Sequence, residues 1–366
     1  VSLSEWYKKG IFDREKIIYE QMLINKVFDK IYWITYGYND FKLSEDLKKK
    51  NKLHKDIIIL KKNIKKNNKY INLFYSFYLI HLYKSEIKES SVLKTNQADG
   101  SWSAVISKIL FNKSLYIRFG YMLSKSEILW KRKNFIKIKI MKIIEKFAIN
   151  FSDVVSVTSE NDKIYIFDQL NCKKEIRVNK SFVDTKKFND IGSKKINRIL
   201  YVGRYSKEKN LENIIKATYR SKIGIDIVGI EPSPVIIKKL LISSDMDVKF
   251  LGHYNNDEMP KIYNKYKYYL IGSLSEGLPK TLIEAMACKM LCIGTNVVGI
   301  NNIIKNNVNG FLSQNCDFMN IAKAIKKTIN YKNSNLIREN ARALIVKEFS
   351  FTNFYANEVE LIKKII

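Results

Sequence analysis

The chain has 366 residues, of which 46% are hydrophobic and 28% charged, with only 14 glycines and four prolines. This composition excludes a disordered or fibrous protein, and the length predicts two globular domains. The net charge is +29, and residues 41–150 alone carry 25 basic and 8 acidic groups. Such a block is expected to attract a polyanionic surface, either nucleic acid or anionic lipid.

The four cysteines, at positions 172, 288, 292 and 316, form no Cys-x-x-Cys pair. Their spacing indicates neither a zinc site nor a disulfide framework, so we expect reduced thiols. The sequence contains no run of 18 apolar residues, and its first residues lack the pattern of a signal peptide. We therefore expect a cytoplasmic protein, held peripherally on the inner face of the cell membrane by its basic block.

The N-terminal half predicts short strands separated by helices. Val1–Gly10 is typical of a loop that follows a strand, and Ile11–Lys26 of a first helix, so we expect the first strand of this domain to be missing. The uncharged stretch Tyr70–Tyr83 predicts a buried helix, and Arg132–Ile149 predicts a long one. The predicted strands are Lys30–Thr35, Asp56–Leu60, Val92–Thr95, Ser114–Arg118 and Val154–Thr158.

The C-terminal half alternates strands and helices more regularly, after a polar linker at Phe188–Lys195. The predicted strands are Ile196–Tyr205, Ile225–Gly229, Val248–Gly252, Tyr268–Gly272 and Leu291–Thr295. The predicted helices are Leu211–Arg220, Ile236–Ser243, Asp257–Lys267 and Pro279–Lys289. This alternation indicates an α/β fold with a parallel sheet, and such sheets bind ligands beyond the carboxyl ends of their strands.

Two glutamates, Glu276 and Glu284, stand eight residues apart in the segment Leu270–Gly299. The first lies in a strand-to-helix turn, where the backbone N–H groups of Gly277 and Leu278 would suit a diphosphate. Carboxylates cannot bind that anion but can accept hydrogen bonds from hydroxyl groups. The pattern therefore predicts a site for a nucleotide diphosphate sugar, although two such glutamates also occur on many solvated helices.

A second cluster, Val202–Asn210, follows a predicted strand. Gly203 permits a tight turn, and Arg204 and Lys209 stand five residues apart across a short loop. Both cations can neutralise a diphosphate leaving group as its charge develops. The alternative interpretation is a pair of ordinary surface cations.

These segments resemble the retaining GT-B glycosyltransferases of family 4, also called group 1 glycosyltransferases. The resemblance is specific over about residues 150–315, and it includes Val157–Glu160 and Phe182–Phe188 besides the two clusters. It implies two facing Rossmann-like, doubly wound domains, residues 1–192 on the acceptor side and residues 193–350 on the donor side. It also implies that the last helix, in residues 351–366, packs back on the first domain.

The resemblance assigns a role to each motif residue. Glu276 would contact the hydroxyls of the donor sugar, Glu284 the ribose, and Arg204 and Lys209 the diphosphate. His253 and Tyr254 fall where family members contact the nucleobase, which would be that of a UDP- or GDP-sugar. The remaining donor-binding candidates are Gly203, Gly277, Leu278, Pro279 and Thr281. No cofactor or metal is expected, and we interpret Asp245-Met246-Asp247 as a structural turn.

The sequence also departs from the family pattern. Lys289 replaces a helix-ending glycine, Ser181 replaces an asparagine, and Asn301 and Asn302 stand where a glutamate is usual. A first-domain histidine near the donor sugar is absent from the segment Ile117–Tyr121. Arg118 is the candidate to take over part of its catalytic role, unless it simply pairs with a carboxylate such as Asp99.

The acceptor is expected to be a saccharide or a lipid-linked saccharide, in cell-surface polysaccharide or lipopolysaccharide synthesis. The helix Arg132–Ile149 could contact anionic lipid through its lysines while its isoleucines pack internally, with Trp130 contributing to the contact. Two rival functions remain: a basic nucleic-acid-binding protein, and a GT-B sugar-nucleotide epimerase. We expect no nucleic-acid partner, because no known nucleic-acid-binding motif appears.

Overall fold

The computed structural model describes residues 2–8, 10–65, 68–129, 134–231, 233–240 and 245–366. Contacts divide the chain into two compact units. Unit 1 comprises Val1–Asn179 together with Tyr355–Ile366, and unit 2 comprises Lys180–Phe354. Within the described residues, no helix combines the length and the apolar character needed to cross a membrane.

The boundary between the units depends on where residues 180–192 pack. The sequence suggests a first domain that ends at residue 192, whereas the contacts assign these residues to unit 2. The backbone N–H of Val183 donates to the carbonyl of Phe349 at 2.8 Å, and the Phe188 and Tyr263 rings lie 6.1 Å apart. The segment is thus held by the hydrophobic core of unit 2 rather than forming a free linker.

Unit 1 is built from short parallel strands separated by helices. Its strands are β1 (Ile31–Ile34), β2 (Ile57–Leu60), β3 (Val92–Thr95), β4 (Ser114–Phe119), β5 (Val154–Val157) and β6 (Ile176–Val178). Its helices are α1 (Leu3–Lys8), α2 (Phe12–Ile24), α3 (Asp40–Lys49), α4 (Lys69–Leu82), α5 (Lys84–Glu89), α6 (Ser101–Phe111), α7 (Leu123–Leu129), α8 (Phe135–Phe151) and α9 (Glu160–Leu170). β1 pairs with β2, and β3, β4, β5 and β6 form a second sheet in that order.

The first residues form a helix where the sequence predicts a loop. The backbone N–H of Leu3 donates to Oδ2 of Asp40 at 2.7 Å, and the Ser4 hydroxyl donates to Oδ1 of the same carboxylate. Asp40 is buried at the start of α3. A carboxylate from a distant part of the chain therefore satisfies the free N–H groups at the start of α1, which no local sequence pattern reveals.

Two helices of unit 1 differ in burial from the prediction. Helix α4, which contains most of the uncharged stretch Tyr70–Tyr83, buries one face only, and its other face is open to solvent. In α8, Ile136, Ile140 and Ile143 are exposed, although the sequence predicts that its apolar face is internal. The predicted start of this helix at Arg132, and Trp130, lie outside the described residues. Apolar periodicity identifies both helices but not what their apolar faces contact.

Unit 2 is organised around a parallel sheet of six strands in the order β12-β11-β10-β7-β8-β9. The strands are β7 (Ile196–Val202), β8 (Ile225–Val228), β9 (Val248–Phe250), β10 (Tyr266–Ile271), β11 (Leu291–Thr295) and β12 (Phe311–Ser313). The helices are α10 (Leu211–Arg220), α11 (Pro234–Leu240), α12 (Met259–Lys265), α13 (Lys280–Ala287), α14 (Phe318–Ile329) and α15 (Ser334–Glu348). Residues 241–243 of the helix predicted after β8 lie outside the described residues.

Both faces of this sheet are covered, which makes unit 2 doubly wound. Along β10, Tyr269 and Ile271 enter the cluster packed against α13 and α15, whereas Tyr268 and Leu270 enter the cluster packed against α10 and α14. Successive side chains of a strand point to opposite faces, so a strand covered on both sides is apolar throughout. The continuous apolar runs in the sequence follow from this arrangement.

The last helix, α16 (Phe351–Lys363), brings a buried carboxylate to unit 1. Glu358 is fully buried, and its Oε2 lies 3.2 Å from Nζ of Lys94. Its Oε1 accepts hydrogen bonds from the Tyr116 hydroxyl at 2.7 Å and from Nδ2 of Asn179 at 2.9 Å. Burial alone would raise the pKa of this carboxyl, but Lys94 and Arg118 outweigh that effect and lower it.

Candidate functional site

The two sequence clusters meet at the carboxyl edge of the unit 2 sheet. β7 and β10 are paired neighbours, so the loops that follow them leave the sheet side by side. We call Arg204, Glu208, Lys209, Ser273 and Glu276 the carboxyl-edge cluster. All five residues lie in these two loops, at the place where an open parallel sheet binds ligands.

Hydrogen bonds hold the two loops together. Asn210, in the left-handed conformation with φ of 56°, donates from Nδ2 to the carbonyl of Gly272 at 2.9 Å and to that of Cys316 at 2.8 Å. The backbone N–H of Leu274 donates to the carbonyl of Glu208 at 2.8 Å. The loops after β7, β10 and β12 are therefore fixed to one another before any ligand binds.

The centre of the cluster is an ion pair between the loops. Nζ of Lys209 lies 2.6 Å from Oε1 of Glu276, and the Ser273 hydroxyl donates to the same oxygen at 2.6 Å. The side chains of the lysine and the glutamate are 23% and 12% exposed. They are thus partly desolvated, and each is already oriented by the other.

Arg204 stands at the open side of the cluster. Its side chain is 68% exposed, and its Nη2 lies 3.0 Å from Oε1 of Glu208. Burial would raise the pKa of Glu208, but its backbone hydrogen bond, Ser206 and Arg204 together lower it. Glu208 is therefore an anion that holds the guanidinium near the loop while leaving it accessible.

Gly203 allows the chain to turn immediately above the Tyr201 side chain. A Cβ at this position would lie 2.7 Å from the Tyr201 hydroxyl, so any other residue would force the Tyr201 side chain to shift. Burial, reinforced by Glu276 and Glu208, raises the pKa of that hydroxyl. The tyrosine therefore remains neutral beneath the loop and does not compete with an anionic ligand for Arg204 or Lys209.

Glu284 and Thr281 are positioned by buried tyrosines. The Tyr263 hydroxyl donates to Oε2 of Glu284 at 2.9 Å, and the Tyr269 hydroxyl donates to Oγ1 of Thr281 at 2.6 Å. Both tyrosines are fully buried. The first two turns of α13 therefore present a carboxylate and a hydroxyl whose orientations are set from within the core.

The turn before α13 supplies backbone donors. Pro279 precedes the helix, and its carbonyl accepts the N–H groups of Leu282 and Ile283. For Gly277 and Leu278, the described part of the chain contains no acceptor for the backbone N–H groups. Together with the partial positive charge of a helix N-terminus, these N–H groups suit an anion.

The loop after β11 packs closely against the backbone of Glu276 and Gly277. Gly299 has φ of 93°, and a Cβ there would lie 2.5 Å from the carbonyl oxygens of both Glu276 and Gly277. Both contacts are with backbone, so they cannot be relieved by a rotamer change. The loop after β11 therefore sets the position of residues 276–277, which explains why the motif extends to residue 299.

Three other predicted site residues have different surroundings. His253 and Tyr254 follow β9 at the same edge of the sheet and are exposed, and we find no hydrogen bond or ion pair from them to the carboxyl-edge cluster within the described residues. Arg118 belongs to unit 1, where Nε lies 3.6 Å from Oε1 of Glu358 and Nη2 donates to the carbonyl of Asn179. The carboxylate of Glu358 thus lies beside Arg118.

An Asp-x-Asp sequence and a cavity are the other features of unit 2 to consider as a site. The described residues contain no group of three His, Cys, Asp or Glu side chains placed to hold a metal. Asp247, of the Asp-x-Asp sequence, pairs with Arg198, which also pairs with Asp226. A cavity of about 290 Å³ lies at the opposite edge of the sheet, but its Lys195 and Arg338 already pair with Asp190.

Residues 183–344, which contain the whole carboxyl-edge cluster, match the family model described as "Glycosyl transferases group 1". Over these residues the chain is similar to the group 1 glycosyl transferases. A GalNAc-alpha-(1->4)-GalNAc-alpha-(1->3)-diNAcBac-PP-undecaprenol alpha-1,4-N-acetyl-D-galactosaminyltransferase of Campylobacter jejuni is 24% identical over 242 residues. The aligned segment covers 63% of this chain and 66% of that relative, just under two thirds of its length.

Solved structures extend the likeness to nearly the full chain. A glycosyltransferase from Rickettsia africae has a TM-score of 0.73 at 19% identity and covers 97% of this chain and 95% of its own. Anabaena HepE in complex with UDP and glucose has a TM-score of 0.72 at 16% identity and covers 95% of each chain. The predicted GT-B fold is thereby confirmed, while the predicted roles of the site residues stay predictions.

Several residues of this site were not predicted from the sequence. They hold the predicted residues in place, and they are Glu208, Asn210, Tyr263, Tyr269 and Ser273. Asn210 carried a usable signal, since asparagine tolerates the left-handed conformation better than most residues and is found at the end of helical turns. The two tyrosines lie in apolar segments, where a buried hydroxyl requires a partner, but the sequence does not identify that partner.

Proposed function

We propose that this chain transfers a sugar from a nucleotide diphosphate sugar to a hydroxyl group of a saccharide or lipid-linked acceptor. The observation that carries the proposal is the ion pair between Lys209 and Glu276, with Arg204 beside it. Such a pair offers a cation to a diphosphate and a carboxylate to sugar hydroxyls at one point. A nucleotide sugar requires both, directly next to each other.

Donor binding would exchange the partners within the cluster. The diphosphate would take Lys209 from Glu276 and Arg204 from Glu208, and Glu276 would then accept hydrogen bonds from the donor sugar. Glu284, oriented by Tyr263, would accept from the ribose hydroxyls. Because the cations gain most as charge develops on the leaving phosphate, their contribution is larger in the transition state than in the ground state.

The proposed reaction proceeds with retention and without a metal. The bond from the anomeric carbon to the phosphate oxygen breaks, and the acceptor oxygen bonds to that carbon on the same face. The leaving phosphate oxygen takes the acceptor's hydroxyl proton, so no covalent enzyme intermediate is required. Arg204 and Lys209 supply the positive charge that a metal ion would otherwise provide, and EDTA should leave the rate unchanged.

The proposed acceptor follows from the relatives and the charge of the chain. The Campylobacter jejuni relative is named for a substrate on undecaprenol diphosphate. The excess of basic residues in 41–150 suits a cytoplasmic protein that works at an anionic membrane surface. We therefore infer a role in cell-surface polysaccharide or lipopolysaccharide synthesis, with a lipid-linked saccharide as acceptor and no nucleic-acid partner.

A thermal-shift screen of UDP-, GDP- and ADP-sugars tests the proposal. A ligand present at 100 times its Kd stabilises the folded state by about 2.7 kcal/mol, which is a readily measured shift. One base series should stabilise the wild type, and the Lys209→Ala variant should show a smaller shift at the same donor concentration. The expected product is a glycoside with the anomeric configuration of the donor, by NMR, formed with release of the nucleoside diphosphate. An epimerised sugar nucleotide without transfer would overturn the proposal.

A further inference from the structure

Helix α4 exposes a continuous apolar and aromatic face. Its buried residues occupy one side, and the exposed side recurs at helical spacing through Tyr70, Leu73, Phe74, Phe77 and Tyr78. Tyr70 and Phe74 are 82% and 69% exposed, and Phe74 stacks on Tyr78 with ring centres 6.5 Å apart. A solvated helix normally presents polar side chains on such a face, so this face requires an apolar partner.

Helix α8 exposes a second face of the same kind. Ile136, Ile140 and Ile143 are 75%, 52% and 59% exposed, although an ordinary crossover helix buries such residues against its sheet. Lys139 and Lys146 are exposed on the same stripe, and no ion pair joins either of them to any residue that the structure describes. Apolar side chains thus alternate with free cations along this helix.

Both helices are anchored to unit 1 through α6, which contacts each of them. Nε1 of Trp102 donates to the Ser76 hydroxyl at 2.8 Å, and the Ser103 hydroxyl donates to the Ser76 carbonyl at 2.6 Å. The ring of Phe77 stacks on that of Trp102. The exposed face of α4 is therefore the surface of a packed helix rather than part of a frayed segment.

The charges on these faces have one sign. The sequence of α4 contains no acidic residue, and the one acidic residue of α8, Glu145, is fully buried against Ser124. Apolar side chains with a cationic margin and no carboxylate match the headgroup region of an anionic bilayer. Aromatic rings favour that depth, and lysines reach the phosphates.

We propose that the exposed faces of α4 and α8 form a docking surface for an anionic lipid bilayer, with the aromatic and isoleucine side chains inserted among the headgroups. A nucleic acid would use the lysines but leave the isoleucines of α8 in water, so it fits this surface less well. The inference rests on the anionic-surface part of the proposed function and deepens it by naming the helices that would contact the lipid, in the absence of donor and acceptor.

Co-sedimentation of the full chain with vesicles tests this surface. Vesicles of phosphatidylcholine with 30% phosphatidylglycerol should bind the protein, and vesicles of phosphatidylcholine alone should bind it at least ~10-fold less tightly. Raising the salt concentration should weaken binding, since the lysine contribution is screened. Equal binding to both kinds of vesicle, or to neither, would overturn the proposal.

Matched variants locate the surface. Tyr70→Ser with Phe74→Ser, Ile136→Ser with Ile140→Ser, and Lys139→Glu with Lys146→Glu should each weaken binding at least ~10-fold. Ile164→Ser on α9 and Leu336→Ser on α15 remove comparably exposed apolar groups elsewhere, and Lys323→Glu with Lys327→Glu removes the same charge from α14. These controls should bind as the wild type does, and circular dichroism should show all variants folded.

Two results would contradict the assignment and identify another partner. If the surface variants bind vesicles normally but lose binding to single-stranded RNA, the surface is a nucleic-acid site. If the wild type is a dimer that these variants convert to a monomer, the surface is covered by a second copy of the chain. Donor binding, measured by thermal shift without vesicles, should be unchanged in all surface variants, so failure of the docking surface is distinguishable from failure of the proposed transferase function.

Discussion

Lys209 and Glu276 stand 67 residues apart in the chain, yet their charged atoms lie 2.6 Å from each other. The contact forms because the loops that carry them follow paired strands and are tied together by Asn210 and by the backbone of Leu274. Without a ligand, each residue compensates the charge of the other. A donor must replace this contact, so both residues respond to the same binding event.

Replacing Lys209 with alanine should lower turnover by at least about 100-fold, which is typical for the loss of one group that stabilises a developing oxyanion. Donor affinity should fall less than turnover, because the lysine acts mainly on the leaving phosphate. The measurement is kcat and KM for the donor. Lys207→Ala is the matched control, since Lys207 is exposed in the same turn. Near wild-type turnover in a folded Lys209→Ala variant would exclude the assigned role.

Replacing Gly299 with alanine should damage the site without touching a predicted ligand contact. The new Cβ would meet two backbone carbonyls at 2.5 Å, so residues 276–277 must move. We expect at least a ~10-fold loss of kcat/KM, from the sensitivity of catalysis to small displacements. Gly192→Ala is the control, because it also has positive φ but meets no atom within 4 Å. Equal effects of the two substitutions would refute the steric explanation.

Replacing Lys289 with glycine should stabilise unit 2. Lys289 ends α13 with φ of 52°, and the N–H of Met290 donates to the carbonyl of Ala285, as in a Schellman motif. Removing the strained Cβ should contribute roughly 1 kcal/mol, which corresponds to a rise in Tm of about 2–4 °C for a unit of this size. Lys289→Ala controls for the lost surface pair with Glu339 and should not raise Tm.

Replacing Glu358 with glutamine should destabilise unit 1 by about 3–5 kcal/mol at pH 7, because Lys94 and Arg118 would lose their buried anion. The pKa of Glu358 is lowered in the folded state, so its contribution is complete above the pKa of the unfolded chain. It is lost as pH falls through the lowered pKa. Urea titrations from pH 3 to pH 7 should therefore show a steeper acid-induced loss for the wild type. Glu360→Gln, on the exposed side of α16, should behave like the wild type.

The sequence predicted most of the fold because strand and helix alternate with clear periods. Two of the three-residue strands, β6 and β12, were missed, since so few residues show no period, whereas β9 was predicted within the longer segment Val248–Gly252. Helix α1 was missed because Asp40, far along the chain, caps it. The apolar stretch of α4 was identified as a helix, but burial depends on neighbours that a local pattern does not contain.

For the candidate site, the sequence predicted the ligand-facing residues but not the residues that hold them in place. The expected proximity of Lys209 and Glu276 followed from two loops at one sheet edge, and the structure brings the two residues together. The roles of Glu208, Tyr263 and Tyr269 depend on contacts between distant segments, so these roles become visible only in the folded structure. For Arg118, the sequence offered Asp99 as a partner because it is nearby in the chain, whereas Glu358 is about 240 residues away.

The position of Glu358 affects the order in which the chain can complete its two units during synthesis. All of unit 2 has been made once residue 354 is added, whereas unit 1 needs residues 355–366, although it also contains the first 179. Until then Lys94 and Arg118 lack the carboxylate that neutralises them. Unit 1 therefore begins synthesis first but is completed after unit 2. A chain shortened after residue 354 would retain unit 2 but leave unit 1 incomplete.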